Sequence, residues 1–278
     1  DWSSDVCSSD LITAITETII SCESLTLLNL NYNQLVSLPD LPNTIQTLRL
    51  TYNDLVDPFT SYLPDDLVTF EAENNTSLTN WTIILTNTNL NYFSVKNCNI
   101  AGVWDEQFPS TIRTIDFSNN DITSLDINLV NGVTNLNMSL NTTLTSFTNL
   151  SSNSTIQILT LSNCGFSNWT NIFSTSLPSS LTQLEVSFNN IGASTWPTDA
   201  FLNSQISSVA MKRCGLSSTS VDNIIIDIRN TTNLLTGTIN LTNTGTGGAL
   251  NQPRTSASDA AVTYLTTAPR SWNITTAP

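Results

Sequence analysis

Leu25-Thr26-Leu27-Leu28-Asn29-Leu30-Asn31-Tyr32-Asn33-Gln34-Leu35 reads L-x-x-L-x-L-x-x-N-x-L. Twenty residues on, Ile45-Gln46-Thr47-Leu48-Arg49-Leu50-Thr51-Tyr52-Asn53-Asp54-Leu55 reads the same way. Further copies begin near Leu67, Leu90, Ile112, Val133, Ile156, Leu181 and Ile206, with a degenerate one near Thr236. The fourth and sixth positions are apolar: Leu28 and Leu30, Leu48 and Leu50, Phe70 and Ala72, Phe93 and Val95, and so on to Val209 and Met211. The residue between them is polar in nearly every copy. That alternation predicts a short strand with one buried face. A single unit cannot bury that face alone, so the copies are expected to stack into a parallel sheet over a continuous core.

The ninth position holds Asn33, Asn53, Asn75, Cys98, Asn120, Asn141, Cys164, Asn189 and Cys214. An inward amide there offers two donors and an acceptor to backbone groups stranded at the bend. Cys is small and semi-polar and suits the same place. These nine residues are therefore expected to form a structural ladder between coils. Asn120→Leu should destabilise the chain, whereas Ser118→Ala, placed on the open face, should not. The reading assigns Cys98, Cys164 and Cys214 to structure rather than to a disulfide, a metal or a nucleophile. Cys22 precedes the first clear copy.

The pattern resembles the leucine-rich repeat family, over roughly Leu25 to Leu241. Leu41-Pro42-Asn43-Thr44-Ile45, Leu63-Pro64-Asp65-Asp66-Leu67, Phe108-Pro109-Ser110-Thr111-Ile112 and Leu177-Pro178-Ser179-Ser180-Leu181 precede four strands. They look like the L-P-x-x-L element of the short bacterial and phage-type repeats. The resemblance implies an α/β-type but mostly β solenoid, right-handed and curved, with a parallel sheet on the concave face. Pro before the strand and the shortness of the repeat leave turns and 3₁₀ segments, with few helices, on the return limb. Some relatives of this type carry a ligase domain with a catalytic Cys, and nothing in this chain resembles that domain. Asn75-Thr76-Ser77-Leu78 and Asn141-Thr142-Thr143-Leu144 hold one extra residue, which predicts a bulge in the bend.

Three segments are expected. Residues 1–11 resemble a translated sequencing adaptor of metagenomic origin rather than protein sequence. Residues 12–217 form the solenoid. Residues 218–278 hold the last repeat and a C-terminal cap of helix, strand, Gly-rich loop, helix and strand. In the cap, Val221, Ile224, Ile225 and Ile228 make a helical face, and Ser218 to Ser220 offer N-caps. Ser256 or Ser258 would cap the second helix. The cap resembles the ending of bacterial and phage repeat proteins that finish in Trp-x-[Val/Ile]-Thr, here Trp272-Asn273-Ile274-Thr275.

The chain has 278 residues, 22 acids, 8 bases, no histidine and a net charge of −14. So acidic a chain lacks the basic footprint of a nucleic-acid or anionic-membrane partner. The lack of histidine removes Ser-His-Asp and Cys-His catalysis and His metal sites. Glu71 and Glu73 share a strand face, but an open face supplies neither the cleft nor the burial a glycosidase pair needs. The acids have no Ca²⁺-loop spacing, and the Gly-rich stretch Thr242–Gly248 matches no phosphate loop. No catalytic residue, metal or cofactor is expected.

The residues read as facing the concave side are Tyr32, Arg49, Tyr52, Glu71, Glu73, Tyr92, Lys96, Asp116, Glu185, Phe188 and Lys212. They suit a binding surface for a protein or a surface glycan. The alternative is a structural component of a phage tail, virion or cell-surface filament that associates with itself. Either favours an extracellular, cell-surface or virion setting. Eleven Asn-x-Ser/Thr sequons, among them Asn80, Asn149, Asn153, Asn168, Asn230 and Asn273, follow from the abundance of Asn, Ser and Thr.

Overall fold

The computed structural model describes residues 12–15, 19–56, 63–78, 87–148, 150, 155–173, 175–192 and 194–278. The adaptor-like residues 1–11, with Cys7, and the sequons at Asn80, Asn149 and Asn153 lie outside them. The chain is a mostly-β solenoid with parallel sheets and few helices. It divides into two compact units, 1–100 with 106–112, and 101–105 with 113–278.

The first unit stacks β1 (Leu27–Asn29), β2 (Thr47–Arg49), β3 (Thr69–Glu71) and β4 (Tyr92–Ser94). All pair parallel, with Leu28, Leu48, Phe70 and Phe93 in register. The second unit holds β5 (Ala101–Trp104), β6 (Thr114–Asp116), β7 (Asp121–Asp126), β8 (Asn135–Asn137) and β9 (Ser146–Thr148). It continues with β10 (Ile158–Thr160), β11 (Gln183–Glu185), β12 (Ser208–Ala210), β13 (Thr238–Leu241) and β14 (Asn273–Thr276). Its main sheet runs β6-β8-β10-β11-β12-β13-β14, every pair parallel. A second sheet, β5-β7-β9, forms on the return limb of three coils.

The buried centre follows the repeat. Leu48, Phe70, Phe93, Ile115, Leu136, Leu159, Leu184 and Val209 are all at or below 2% exposed. Each such side chain withdrawn from water contributes about 1.5–3 kcal/mol. Phe70 stacks on Phe93 at 5.7 Å, and Phe93 meets Phe108 edge-on at 5.2 Å. In the second unit Trp169, Phe173, Trp196 and Phe201 form a separate aromatic cluster.

The four proline elements share one turn. The closing residue's N–H donates to the proline carbonyl: Ile45 to Pro42 (3.3 Å), Leu67 to Pro64 (3.1 Å), Ile112 to Pro109 (3.1 Å), Leu181 to Pro178 (3.0 Å). Leu41, Leu63, Phe108 and Leu177 beside each proline are buried. In three of these turns a hydroxyl ties the coil to the one before it. Thr44 donates to Leu25 O, Thr111 to Leu90 O and Ser180 to Ile156 O.

At the C-terminal end, α1 (Ser218–Thr231) buries Val221, Ile224, Ile225 and Ile228 as the pattern requires. Its N-cap is Ser217, one residue earlier than expected, accepting from Ser220 N–H. α2 (Asp259–Thr266) has Ser258 at its N-cap position, but with no side-chain capping bond, and the 3₁₀ turn before it is capped by Thr255. Asp222 of α1 fixes this join. Its carboxylate accepts from Thr255 N–H (3.0 Å), the Thr255 hydroxyl (2.5 Å) and the Ser258 hydroxyl (2.6 Å). Trp272 is buried and donates to Leu234 O. A side chain at Gly237 would collide with its ring, so glycine is required there.

Candidate functional site: the strand face and the bend behind it

In β1 to β4, β6, β8 and β10 to β12 the strand is only three residues long before the chain bends. The residue at the eighth position sits in the left-handed region in coil after coil. φ is 59° at Tyr32, 57° at Tyr52, 58° at Asn74, 56° at Asn97, 58° at Asn119, 64° at Leu140, 54° at Asn163, 64° at Phe188 and 51° at Arg213. The cause is hydrogen bonding. That conformation aims the residue's N–H at the next coil: Tyr32 to Thr51 O, Tyr52 to Glu73 O, Leu140 to Ser162 O and Phe188 to Lys212 O, each 2.8 Å. Asn tolerates this region; Tyr, Leu, Phe and Arg are strained there. Tyr32, Tyr52 and Phe188 therefore stand on the bend, not on the strand.

The bend also corrects the seventh position. Thr51, Ser118 and Ser187 are 8%, 4% and 0% exposed, so Ser118 is not on an open face. The chain is already turning toward its neighbour there. The Ser187 hydroxyl, for example, accepts from Lys212 N–H at 2.9 Å.

In the first unit, Tyr32 and Tyr52 stack with centroids 4.9 Å apart and planes 14° apart. They remain 66% and 49% exposed. Leu27 on β1 is 50% exposed. Arg49 Nε lies 3.2 Å from Glu71 Oε2, an ion pair whose angle falls short of a hydrogen bond. Glu73 accepts from the Ser94 hydroxyl at 2.7 Å. Tyr92 is half-buried and Lys96 exposed.

In the second unit the acids are occupied by the bends. Asp116 Oδ1 accepts from Ser118 N–H and its Oδ2 from the Asn137 amide. Glu185 Oε1 accepts from Ser187 N–H and the Ser162 hydroxyl. The bonds from Ser118 and Ser187 N–H are local caps at i to i+2, whereas those from Asn137 and Ser162 come from the neighbouring coil. Phe188 lies under the Gly-rich loop, where a side chain at Gly245 would strike its ring. Lys212 Nζ sits 5.5 Å from the same ring. Arg213 ties the loop down through Gly247 O and Asn243 O. The Gly-rich stretch packs on the bend.

Behind the bend lie the ninth-position residues. Asn53 donates to Leu50 O of its own coil and Leu30 O of the preceding one, both 2.9 Å, and accepts from Leu35 N–H at 3.0 Å. Asn75 does the same with Ala72 O, Leu50 O and Leu55 N–H. Asn33 donates to Leu30 O and accepts from Ile12 N–H. Asn120 donates to Phe117 O, and Asn141 to Met138 O and Phe117 O while accepting from Ile122 N–H. Asn189 donates to Val186 O and Leu161 O and accepts from Cys164 N–H.

Cys98, Cys164 and Cys214 keep only the donor half. Their thiols donate to Ala72 O, Met138 O and Val186 O at 3.2–3.3 Å. The reason lies one coil earlier. Leu78 N–H and Leu144 N–H are satisfied within their own bulged turns, by Asn75 O and Asn141 O. Ile191 N–H is taken by Cys214 O. No acceptor is demanded from the next side chain, so a thiol suffices. Burial pushes these thiols up to about 11 at Cys98 and about 12 at Cys164 and Cys214, so at neutral pH they are neither nucleophiles nor thiolate ligands. Among the described residues no group of three His, Cys, Asp or Glu side chains could hold a metal ion.

Sequence reasoning missed Asn251. It is 2% exposed, accepts from Cys214 and Leu216 N–H, and donates to Met211 O (2.7 Å) and Leu241 O (3.0 Å). The Gly-rich insertion displaces it from the repeat spacing. The signal was the unspent Asn after that loop.

The coils are leucine-rich-repeat-like. No family model and no curated protein matches the chain. Among solved structures it is similar to YopM from Yersinia enterocolitica WA-314, at 19% identity and a TM-score of 0.40, over 69% of this chain and 52% of that one. The chain thus spans about half the length of that structure.

Proposed function

We propose that the chain is a recognition module that binds a protein through its strand face and the bend beside it, anchored on the bend by Tyr32 and Tyr52. One observation carries this reading. Two exposed, stacked tyrosines occupy backbone positions where Asn is at home, so the chain accepts strain and exposed aromatic area together. Rigid aromatics with a polar tip are the usual anchors of an interface. Leu27 extends the patch, while the Arg49–Glu71 pair borders it. Glu73, Tyr92 and Lys96 continue the face in the same unit. Asp116, Glu185, Phe188 and Lys212 are proposed as secondary contacts in the second unit. The Asn and Cys rows read as ladders that hold each unit's coils rigid, which lowers the ordering cost of binding.

A glycan ligand uses the same stacked rings. Panels of displayed extracellular proteins and of glycans, probed with this chain and with a Tyr32→Ser/Tyr52→Ser variant, separate the two. Binding to a protein that drops at least tenfold in the variant is expected. Binding unchanged by the double substitution would sink the proposal. A second reading, a self-associating structural component, draws on Val36 and Val56, each 53% exposed in adjacent coils. Sedimentation of Val36→Ser/Val56→Ser against the parent decides it.

A further inference from the structure

In the second unit, Tyr264 of α2 carries two guanidinium groups against its ring and is still 39% exposed. Arg270, in the turn between α2 and β14, has its Cζ 4.1 Å from the ring centroid. Arg229, in the last turn of α1, has its Cζ at 5.1 Å. Among the described residues, the Arg270 side chain has no hydrogen-bond partner and no ion pair. Its Nε is shut away from solvent, while its two Nη amino groups are open to it. Arg229 is exposed and makes a single side-chain bond, from Nη1 to Asn230 Oδ1. A chain with 22 acids and 8 bases has carboxylates to spare, and it pairs Arg49 and Arg254 with them. It gives none to this pair. Stacking sets each charge over the ring face and leaves the in-plane N–H groups without an acceptor. The negative end of α1 accounts for one cation at Arg229. It does not account for a second, like charge brought onto the same ring, which repels the first.

We infer that Arg229, Tyr264 and Arg270 form a binding site for a tetrahedral oxyanion, a phosphate or sulfate group, held by the open guanidinium edges while the ring braces them. A guanidinium edge presents parallel donors at the spacing of two oxygens on one anion. A carboxylate has only two oxygens, and one such edge satisfies it. Two edges on separate elements suit a group with three or four oxygens. Arg270 is stacked and half-buried, so its edge is pre-aimed and little freedom is lost on binding. Arg229, with its exposed head, swings to meet the same group. The net charge of −14 repels a nucleic acid or any other polyanion. That restricts the site to one such group at a time, as the free ion or as a monoester. Nothing in this inference depends on the proposed binding face in the first unit.

The test is a ¹H–¹⁵N spectrum of the full chain that follows the arginine Nε–H resonances, in about 0.15 M NaCl, where weak surface attraction is screened. Inorganic phosphate, sulfate, methyl phosphate, methyl sulfate and acetate are titrated separately. Expected is a saturable shift of the Arg270 Nε–H by phosphate or sulfate, at least tenfold tighter than by acetate. Arg229→Gln should weaken it several-fold. Arg270→Lys keeps the charge but loses the planar edge, and should weaken the matching shift at Arg229 several-fold. Tighter binding of a methyl ester than of its parent ion assigns the site to an esterified ligand; equal or weaker binding assigns it to the free ion. No saturable shift by any of the four phosphate and sulfate probes would reduce the stack to a brace of the C-terminal cap and overturn the inference. So would acetate bound as tightly, or a shift undiminished in Arg229→Gln. Lys212→Gln, a cation of the same unit on another ring, should change nothing. Tyr32→Ser/Tyr52→Ser should also leave the titrations as they are, which separates this result from the fate of the binding face.

Discussion

At the residue scale, the bend conformation decides which side chains fit. Four of the nine left-handed bend positions hold Asn, the residue that most readily adopts this region after Gly. Leu140 does not, and it is 43% exposed at φ 64°. It has strain and little burial to offset it. Leu140→Asn should therefore raise stability by about 1 kcal/mol, read as a higher denaturant midpoint at unchanged slope. No gain, or a loss, would mean that Leu140 is held by a contact the backbone geometry does not reveal. The same substitution at Tyr52 also removes the stacked ring and is a poorer test.

At the element scale, a coil depends on both its buried strand face and the polar row behind it. Asn75 is fully buried and serves three backbone groups. Asn75→Leu leaves these unpaired and should cost at least about 2–3 kcal/mol. Thr47→Ala, on the partly open face of β2, should stay within about 0.5 kcal/mol. Equal losses in thermal melts would remove the Asn row from the account of stability. The repeat period was legible because Leu28, Leu48 and Phe70 recur with polar residues between them. The bulges after Asn75 and Asn141 were legible as one extra residue. What they mean was not: the bulge satisfies its own closing N–H and so permits Cys98 and Cys164 in the next coil. That link runs through a hydrogen bond, and no single repeat displays it.

At the scale of the whole molecule, stability depends on pH through Asp227. Burial, with Asp199 nearby adding to it, raises its carboxyl above the usual value of 3.8, against the opposing bonds from Trp196 and Phe201. The native state then holds this proton more tightly than the unfolded chain does. Stability is present at the acidic end and declines as pH rises from the ordinary carboxylate range through the raised value. Asp227→Asn keeps an acceptor for Trp196 and Phe201 and removes the charge. Its melting temperature should match the parent near about pH 4 and exceed it near about pH 7. A constant gap across that range would place the variant's effect elsewhere.

Period and composition alone determined that short coils stack in parallel and that alternate aliphatic side chains turn inward. Those features are local and repeat, so one copy predicts the next. The tertiary structure alone decided the rest. It set the left-handed bends that move Tyr32, Tyr52 and Phe188 off the strand, and it buried Ser118 and Ser187. It returned Asn251 to the row across an insertion, and set Asp227 against Trp196 from 31 residues away. Each depends on which coil lies beside which, and adjacency in space is not written in the spacing of a single repeat.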